Sequence, residues 1–308
     1  MTAFDPARVK RRHAKTLLNV RRGGRDPWFL DDYTINPYNG CPLGCAWCYT
    51  HGAHYGINTG LAIKENAPEL LTKALILRAR QQRYGFIVLA SATEPYSPLD
   101  AATGLTRSLL KIIAAYRFPV HVITRSPLVV RDLDILQTIH ATAHLPDDLR
   151  GRVPGGCIVS FSMPTVNETL ASWLEPTVAK PMQRLAALRD VRSVGLHSGI
   201  LGMPMFPWLT DQPMALDALA AAASEAGAQY LLGSMLTLTG HGLATFLVRL
   251  ARYRKDLVKD YRMLYAKPDG ALRKFEAPLQ QALLTVTRRY ALAHSITTAP
   301  AAGALMRS

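Results

Sequence analysis

Cysteine is scarce in this chain, with four in 308 residues. So few thiols exclude the disulfide-dense scaffold of a small secreted domain. Long apolar runs are missing as well: no stretch of eighteen apolar residues occurs, so the sequence offers nothing that would span a membrane. The opening thirty residues are charged and lack the apolar core of a secretory signal, and Asp5 and Asp26 argue against reading the Arg-rich start as a transit peptide. The expectation is a cytoplasmic protein with no membrane partner. Its thiols stay reduced, so clustered cysteines bind metal rather than each other. Acidic residues are also in short supply, 22 against 36 Lys and Arg, which leaves a formal net charge of +14. A field of one sign suits a polyanion such as DNA or RNA, and it equally serves solubility. With 49% of its residues apolar, the chain is not a disordered one.

The basic residues are not evenly spread. Arg8, Lys10, Arg11, Arg12 and Lys15 crowd the start, followed by Arg21, Arg22 and Arg25, and read as a loose basic arm over 1–29. A second basic region runs from Arg249 to Lys274. Between them the chain alternates. Apolar positions at helical spacing mark helices over 67–83, 103–117, 131–142 and 180–190, with a weaker one before the last and an Ala-rich one over 212–226. Pro68 suits a first turn, and Thr103 suits an N-cap. Short apolar, β-branched runs mark strands at 86–91, 120–124, 157–163, 195–205 and 228–236, and a further extended segment lies at Tyr33–Pro37. Six strands, each of the first five followed by a helix, argue a parallel sheet with crossover helices, either doubly wound or an incomplete barrel. From about 242 to 293 the pattern is helical only, and 295–308 reads as a frayed tail.

Three of the four cysteines, Cys41, Cys45 and Cys48, sit in "NPYNGCPLGCAWCYTHG" with the spacing C-x3-C-x2-C, directly after the first strand. With His51, and His54 as a spare, they can be parsed as a Cys3His zinc site in a nucleic-acid-binding protein. Cys157 opens a strand and reads as a small buried hydrophobe. In either parallel architecture, ligands gather at the C-terminal strand ends. The polar groups found there are Ser91, Thr93 and Glu94 after the second strand, Thr124, Arg125 and Ser126 after the third, and Ser160 and Ser162 on the fourth. A lone Ser or Thr is commonly a cap or turn, but Glu94 and Arg125 beside buried strands each require a partner or a ligand. Tyr49, Tyr55, Tyr96 and Trp208 could stack on a base or simply pack.

The cysteine spacing after the first strand of a βα-repeat chain resembles the signature of radical S-adenosylmethionine enzymes. More narrowly, "NPYNGCPLGCAWCY", "KENAPELL", "TEPYSP", "ITRSPLVVRDLDIL", "WLEP" and "RYRKDLVKDYRMLY" resemble the spore-photoproduct-lyase-like, or DNA repair photolyase-like, branch. The likeness covers about residues 30–240. It implies an α/β partial (β/α)6 TIM-like barrel over 30–240 with a C-terminal helical extension over 241–294. It also implies a [4Fe–4S] cluster on Cys41, Cys45 and Cys48, with S-adenosylmethionine on the cluster's open iron. Trp47 would pack near the adenine, and Ser91, Thr93 and Glu94 would meet the methionyl amine. Arg125 would meet the carboxylate, Ser160 and Ser162 would lie near the ribose, and backbone groups from Gly199 to Met203, those of Gly199 and Gly202 among them, would face the adenine. The substrate implied is a nucleic acid, or else a protein or small molecule, and the reductant is a flavodoxin or ferredoxin. True spore photoproduct lyases carry a further cysteine near the end of the second strand. "LASATEPY" has none here, so thymine-dimer splitting is not part of what the resemblance implies.

Overall fold

The computed structural model describes residues 9–48, 60–89, 92–267 and 269–298. In chain order the strands are β1 (Lys10–Arg12), β2 (Asn19–Val20), β3 (Tyr33–Ile35), β4 (Tyr38–Asn39), β5 (Ala62–Lys64), β6 (Ile87–Leu89), β7 (Val120–Thr124), β8 (Cys157–Ser162), β9 (His197–Met205) and β10 (Leu231–Met235). The helices are α1 (Ala67–Arg80), α2 (Pro98–Thr103), α3 (Leu105–Ala115), α4 (Leu133–Thr142), α5 (Glu168–Leu174), α6 (Pro181–Ser193), α7 (Pro213–Glu225), α8 (Gly240–Tyr253), α9 (Val258–Leu264) and α10 (Gly270–Arg289).

The six strands expected from periodicity are β3 and β6 to β10. They lie side by side in the order β10-β9-β8-β7-β6-β3, all parallel, and β2 adds an antiparallel edge on β3. Successive strands are neighbours, so every crossover steps the same way, as in a (β/α) barrel rather than a doubly wound sheet. β8 shows why the strands read as continuous apolar runs: all six residues from Cys157 to Ser162 are buried. One face of the sheet packs on the helices through residues such as Leu71, Leu109, Ile113, Leu136, Leu188 and Leu219. The opposite face has its own core of Leu30, Phe86, Ile158, Leu201, Tyr230 and Leu232. Val88 of β6 and Ser234 of β10 line one cavity. They are four strands apart, a span of about 19 Å in a flat sheet. The sheet therefore curls around this second face. It does not close: among the described residues β2 and β10 pair with no common neighbour.

The free edge of β10 is covered from the C-terminal region. In α10, Glu276 accepts hydrogen bonds from the Met235 amide (2.9 Å) and Ser234 Oγ (3.2 Å), while the Gln280 side chain donates to Gly233 O (2.8 Å). Those side chains stand in for a neighbouring strand. Residues 295–298, read above as the start of a tail, lie against the inner face, where Ile296 is buried and its carbonyl meets His197 Nε2 at 2.9 Å.

Two local expectations differ from what forms. The helix expected over 103–117 is split, because Gly104 takes a left-handed conformation (φ 63°) that ends α2 and opens α3. Thr103 is thus the last residue of α2 and no cap; its hydroxyl donates to Leu99 O. The basic arm is not loose where it is described. β1 pairs with β5, Asn66 exchanges two hydrogen bonds with the Ala14 backbone, and Arg21 grips Asp31.

Candidate active site

The cysteine loop follows β3 and β4 and is held from three sides. Its Ala46 amide donates to Leu174 O at the end of α5 (2.9 Å), Leu43 O accepts from Thr177, and Gly44 O accepts from Arg249 of α8 (3.0 Å). Gly44 adopts φ 58°, which favours glycine and lets the chain turn between Cys41 and Cys45. All three thiols line one cavity of about 380 Å³ at the C-terminal strand ends. The other walls come from Trp47, Thr93, Glu94, Arg125, Ser162 and Met203, with Phe29 and Asp31 from the N-terminal segment and Ser234 to Thr237 after β10. Burial pushes the Cys45 thiol up to about 12, opposed by the nearby Arg125 charge, and burial likewise raises Cys41. Among the described residues no three His, Cys, Asp or Glu side chains converge on one point fit for a single ion. His51, the fourth ligand of the zinc reading, and His54 lie outside the described residues.

Trp47 is 5% exposed and forms part of the cavity wall, yet its indole N–H is buried without a hydrogen-bond partner among the described residues. The Arg125 guanidinium sits over its ring with Cζ 4.9 Å from the centroid. Glu94 is buried at the junction of the second and third strand ends. Its Oε1 accepts from the Tyr96 amide (3.0 Å) and Thr124 Oγ1, and its Oε2 accepts from the Arg125 amide (2.9 Å). Burial raises its pKa despite those donors. Arg125 donates from Nε to Glu175 Oε1 at 3.1 Å. Its burial is outweighed by the carboxylate and thiol groups around it, with Glu175 foremost, and its pKa is raised. Both charged residues singled out in the sequence therefore have protein partners and still face the cavity.

The remaining expectations divide. Thr93 is on the wall, its hydroxyl 3.4 Å from Asn36 Oδ1, and Ser162 is on the wall with Oγ donating to Met203 O. Ser91 lies outside the described residues. Ser160 is deeper in the sheet and off the cavity lining, bonded to His121 Nε2 (2.7 Å) and Tyr230 OH (2.6 Å). Gly199 and Gly202 are off the lining too. A Cβ at Gly199 would stand 2.5 Å from the Tyr230 ring, and one at Gly202 would meet Met205 Cε at 2.3 Å. Leu201 and Met203 form that part of the wall instead: side chains alternate along β9, so Gly202 points to the other face, while Gly199 shares their face but lies deeper, under Tyr230. Tyr96 is buried beneath Arg131, and Trp208 packs edge-on against Tyr261 and Phe275, so neither is a free stacking platform; Tyr49 and Tyr55 are not among the described residues. Sequence reasoning missed Phe29, the last residue of the supposed arm, Asp31 just beyond it, and Glu175, whose signal was present in "WLEP".

No family model matches the chain. An "Uncharacterized protein" of Mycobacterium tuberculosis (strain ATCC 25618 / H37Rv) is 26% identical over 276 residues, covering 87% of this chain and 77% of its own. Another, of Acidianus two-tailed virus, is 28% identical over 203 residues and 62% of each chain. Among solved structures, a spore photoproduct lyase mutant with bound AdoMet and dinucleoside spore photoproduct superposes at a TM-score of 0.58 with 18% identity. The match takes in 76% of this chain and 66% of that one, so this chain spans just under two thirds of that enzyme's length. A second spore photoproduct lyase mutant gives the same TM-score at 16% identity. The curled parallel sheet that carries the three cysteines is the fold of spore photoproduct lyase.

Proposed function

We propose that the protein is a radical S-adenosylmethionine enzyme in which Cys41, Cys45 and Cys48 hold a [4Fe–4S] cluster and the cavity beside them takes S-adenosylmethionine. The observation that carries this reading is one shared wall: three thiols from one loop border the same cavity as Glu94, Arg125 and the indole of Trp47, whose N–H has no hydrogen-bond partner among the described residues. The donor set fits the group. Thiolates suit iron–sulfur clusters, and each sulfur ligates its own iron, so the three need not converge on one point. Held by these three cysteines, the cluster would offer one open iron to S-adenosylmethionine and would supply the electron for its reductive cleavage, the source of hydrogen-abstracting radical chemistry on a substrate.

The chain's own residues bind, orient and exclude water. Glu94 and Arg125 offer one carboxylate and one guanidinium on adjoining walls, the complement of an amino-acid zwitterion. Trp47 presents an aromatic face, already stacked on one side by Arg125, and one N–H donor. Val88, Ile123 and Leu201 floor the cavity with apolar surface that keeps water from a reactive radical. A nucleic acid is the proposed substrate and a flavodoxin or ferredoxin the proposed reductant. The net charge of +14 and the exposed Arg252, Lys255, Lys259 and Arg262 near the C-terminus support a polyanionic partner.

Anaerobic reconstitution with iron and sulfide, then dithionite and S-adenosylmethionine, is expected to give 5′-deoxyadenosine. A protein that retains zinc and forms none would overturn the assignment. Binding of a DNA or RNA oligonucleotide is expected to weaken steeply between low and moderate salt, since neutralised phosphates release counterions. Salt-insensitive or absent binding would point to a protein or small-molecule substrate.

A further inference from the structure

A buried ion-pair chain runs behind the cavity wall. Glu175 is wholly buried, and its two carboxylate oxygens are shared between two guanidinium groups: Oε1 accepts from Arg125 Nε (3.1 Å) and Oε2 accepts from Arg184 Nη2. Arg184 is itself only 1% exposed and has a partner at each nitrogen, with Nε donating to Ala179 O (2.7 Å) and Nη1 to Ser162 O (2.9 Å). Arg125 is the exception. Its Nε is taken by Glu175 and its plane is stacked on Trp47, while its two Nη groups have no hydrogen-bond partner among the described residues and the residue lines the cavity.

Three consequences follow from that arrangement. A guanidinium tied at Nε and stacked on one face has lost most of its rotameric freedom before any ligand arrives, so less order is lost on binding. The charge of Glu175 is cancelled by Arg184, and the positive charge of Arg125 remains for an incoming anion. Arg184 also bonds the carbonyl of Ser162, so the chain links the loop after β7, the end of β8 and the loop after α5, three separate pieces of the wall.

We propose that Glu175, held by Arg184, is the positioning residue for Arg125, fixing its two Nη groups toward the carboxylate of the cavity's ligand. The inference rests on the reading of that cavity as the S-adenosylmethionine site. Glu175 does not itself touch the ligand. It acts through the pose of Arg125, so its removal weakens binding only of ligands that carry the carboxylate.

The test uses anaerobically reconstituted protein and two probes, S-adenosylmethionine and its decarboxylated analogue, with affinities measured by calorimetry and iron and sulfide quantified alongside. Glu175→Gln is expected to keep its iron and sulfide, to bind S-adenosylmethionine about tenfold more weakly or worse, and to bind the decarboxylated analogue as the wild type does. Because Glu175→Gln leaves Arg184 buried beside a neutral amide and risks misfolding, the double variant Glu175→Gln/Arg184→Gln removes both charges and carries the same expectation. Glu175→Asp keeps the charge and is expected to recover part of the lost affinity. Equal loss for both probes would make Glu175 a merely structural residue and overturn the proposal, as would unchanged affinity for S-adenosylmethionine. A wild-type protein that takes up no cluster, or that binds neither probe, would overturn the underlying reading and this proposal with it. Wild-type binding with an indifferent variant would overturn the proposal alone.

Discussion

Cys45 and His121 show how strongly single side chains here depend on burial. Cys45 is 7% exposed and its thiol is pushed up to about 12, so without metal it stays protonated; a coordinated iron would deprotonate it outright. Cys45→Ala is expected to abolish both cluster uptake and formation of 5′-deoxyadenosine while leaving the circular dichroism spectrum unchanged, because the loop is anchored through Ala46, Leu43 and Gly44 backbone groups and not through the sulfur. Iron and sulfide analysis of the purified variant checks this, and a full complement of iron would refute it. His121 lies in the floor below the cavity. Its Nδ1 faces the Phe29 carbonyl at 2.8 Å, which can only accept, so the proton is on Nδ1 and the bare Nε2 accepts from Ser160, which in turn accepts from Tyr230. Burial brings its pKa down to about 4 from an unfolded value near 6.5. The folded state therefore binds fewer protons than the unfolded state in that window. The stability this neutral ring contributes is complete above pH 6.5 and is lost as pH falls toward 4. Unfolding free energies from urea titrations at pH 7 and pH 5 should differ by about 2 kcal/mol, in the direction of lower stability at pH 5, and that difference should shrink in His121→Gln. A slope that the variant leaves untouched would locate the effect elsewhere, with His197, also lowered by burial and 5.2 Å from the Tyr230 ring, the next group to replace.

At the scale of elements, what mattered was which strand lay beside which. The central strands announced themselves through local composition, and β7, with the sequence VHVIT, needed nothing beyond its own residues to read as a strand. The three-stranded sheet of β1, β5 and β4 did not. Its members are two or three residues long and scattered along the chain from Lys10 to Lys64, and nothing in Lys10–Arg12 distinguishes a strand from a basic tail until Ala62–Lys64 is placed beside it. The C-terminal helices were legible as helices, but that α10 completes the edge of β10 through Glu276 and Gln280 was not. Glu276→Ala is expected to leave the buried Met235 amide without its acceptor and to destabilise the protein by about 1–3 kcal/mol. The measurable sign is faster hydrogen exchange at the β10 amides, with α1 and β7 unaffected. Uniform protection across the sheet would mean that this edge is held without Glu276, by Gln280, the Ala293 backbone and packing.

At the scale of the whole molecule, the curl of the sheet makes the site. It carries the ends of β6 and β10 to one cavity, places the cysteine loop across that cavity, and lets the N-terminal segment contribute Phe29 and Asp31. The same curl gives the chain two cores, one against the helices and one inside the bend, where Phe86, Ile158, Tyr230 and Ile296 meet. No helix among the described residues is long and apolar enough to cross a membrane.

The sequence by itself determined the sheet, the rhythm of strand and helix, and the cysteine loop, because each rests on local chemistry: alternation and β-branching for strands, helical spacing for helices, and three thiols at close, fixed separation for the loop. It also located Glu94 and Arg125, since charge beside a buried strand is conspicuous in one dimension. Only the tertiary structure decided the rest. Ser160 proved to be spent on His121 and Tyr230, Gly199 and Gly202 yielded the wall to Leu201 and Met203, and Glu175 joined Arg125 to Arg184 across separate loops. Those outcomes turn on which face a residue shows and which distant partner satisfies it. Both are set by how the sheet bends and which buried groups must be paired, and neither is written in the residues on either side.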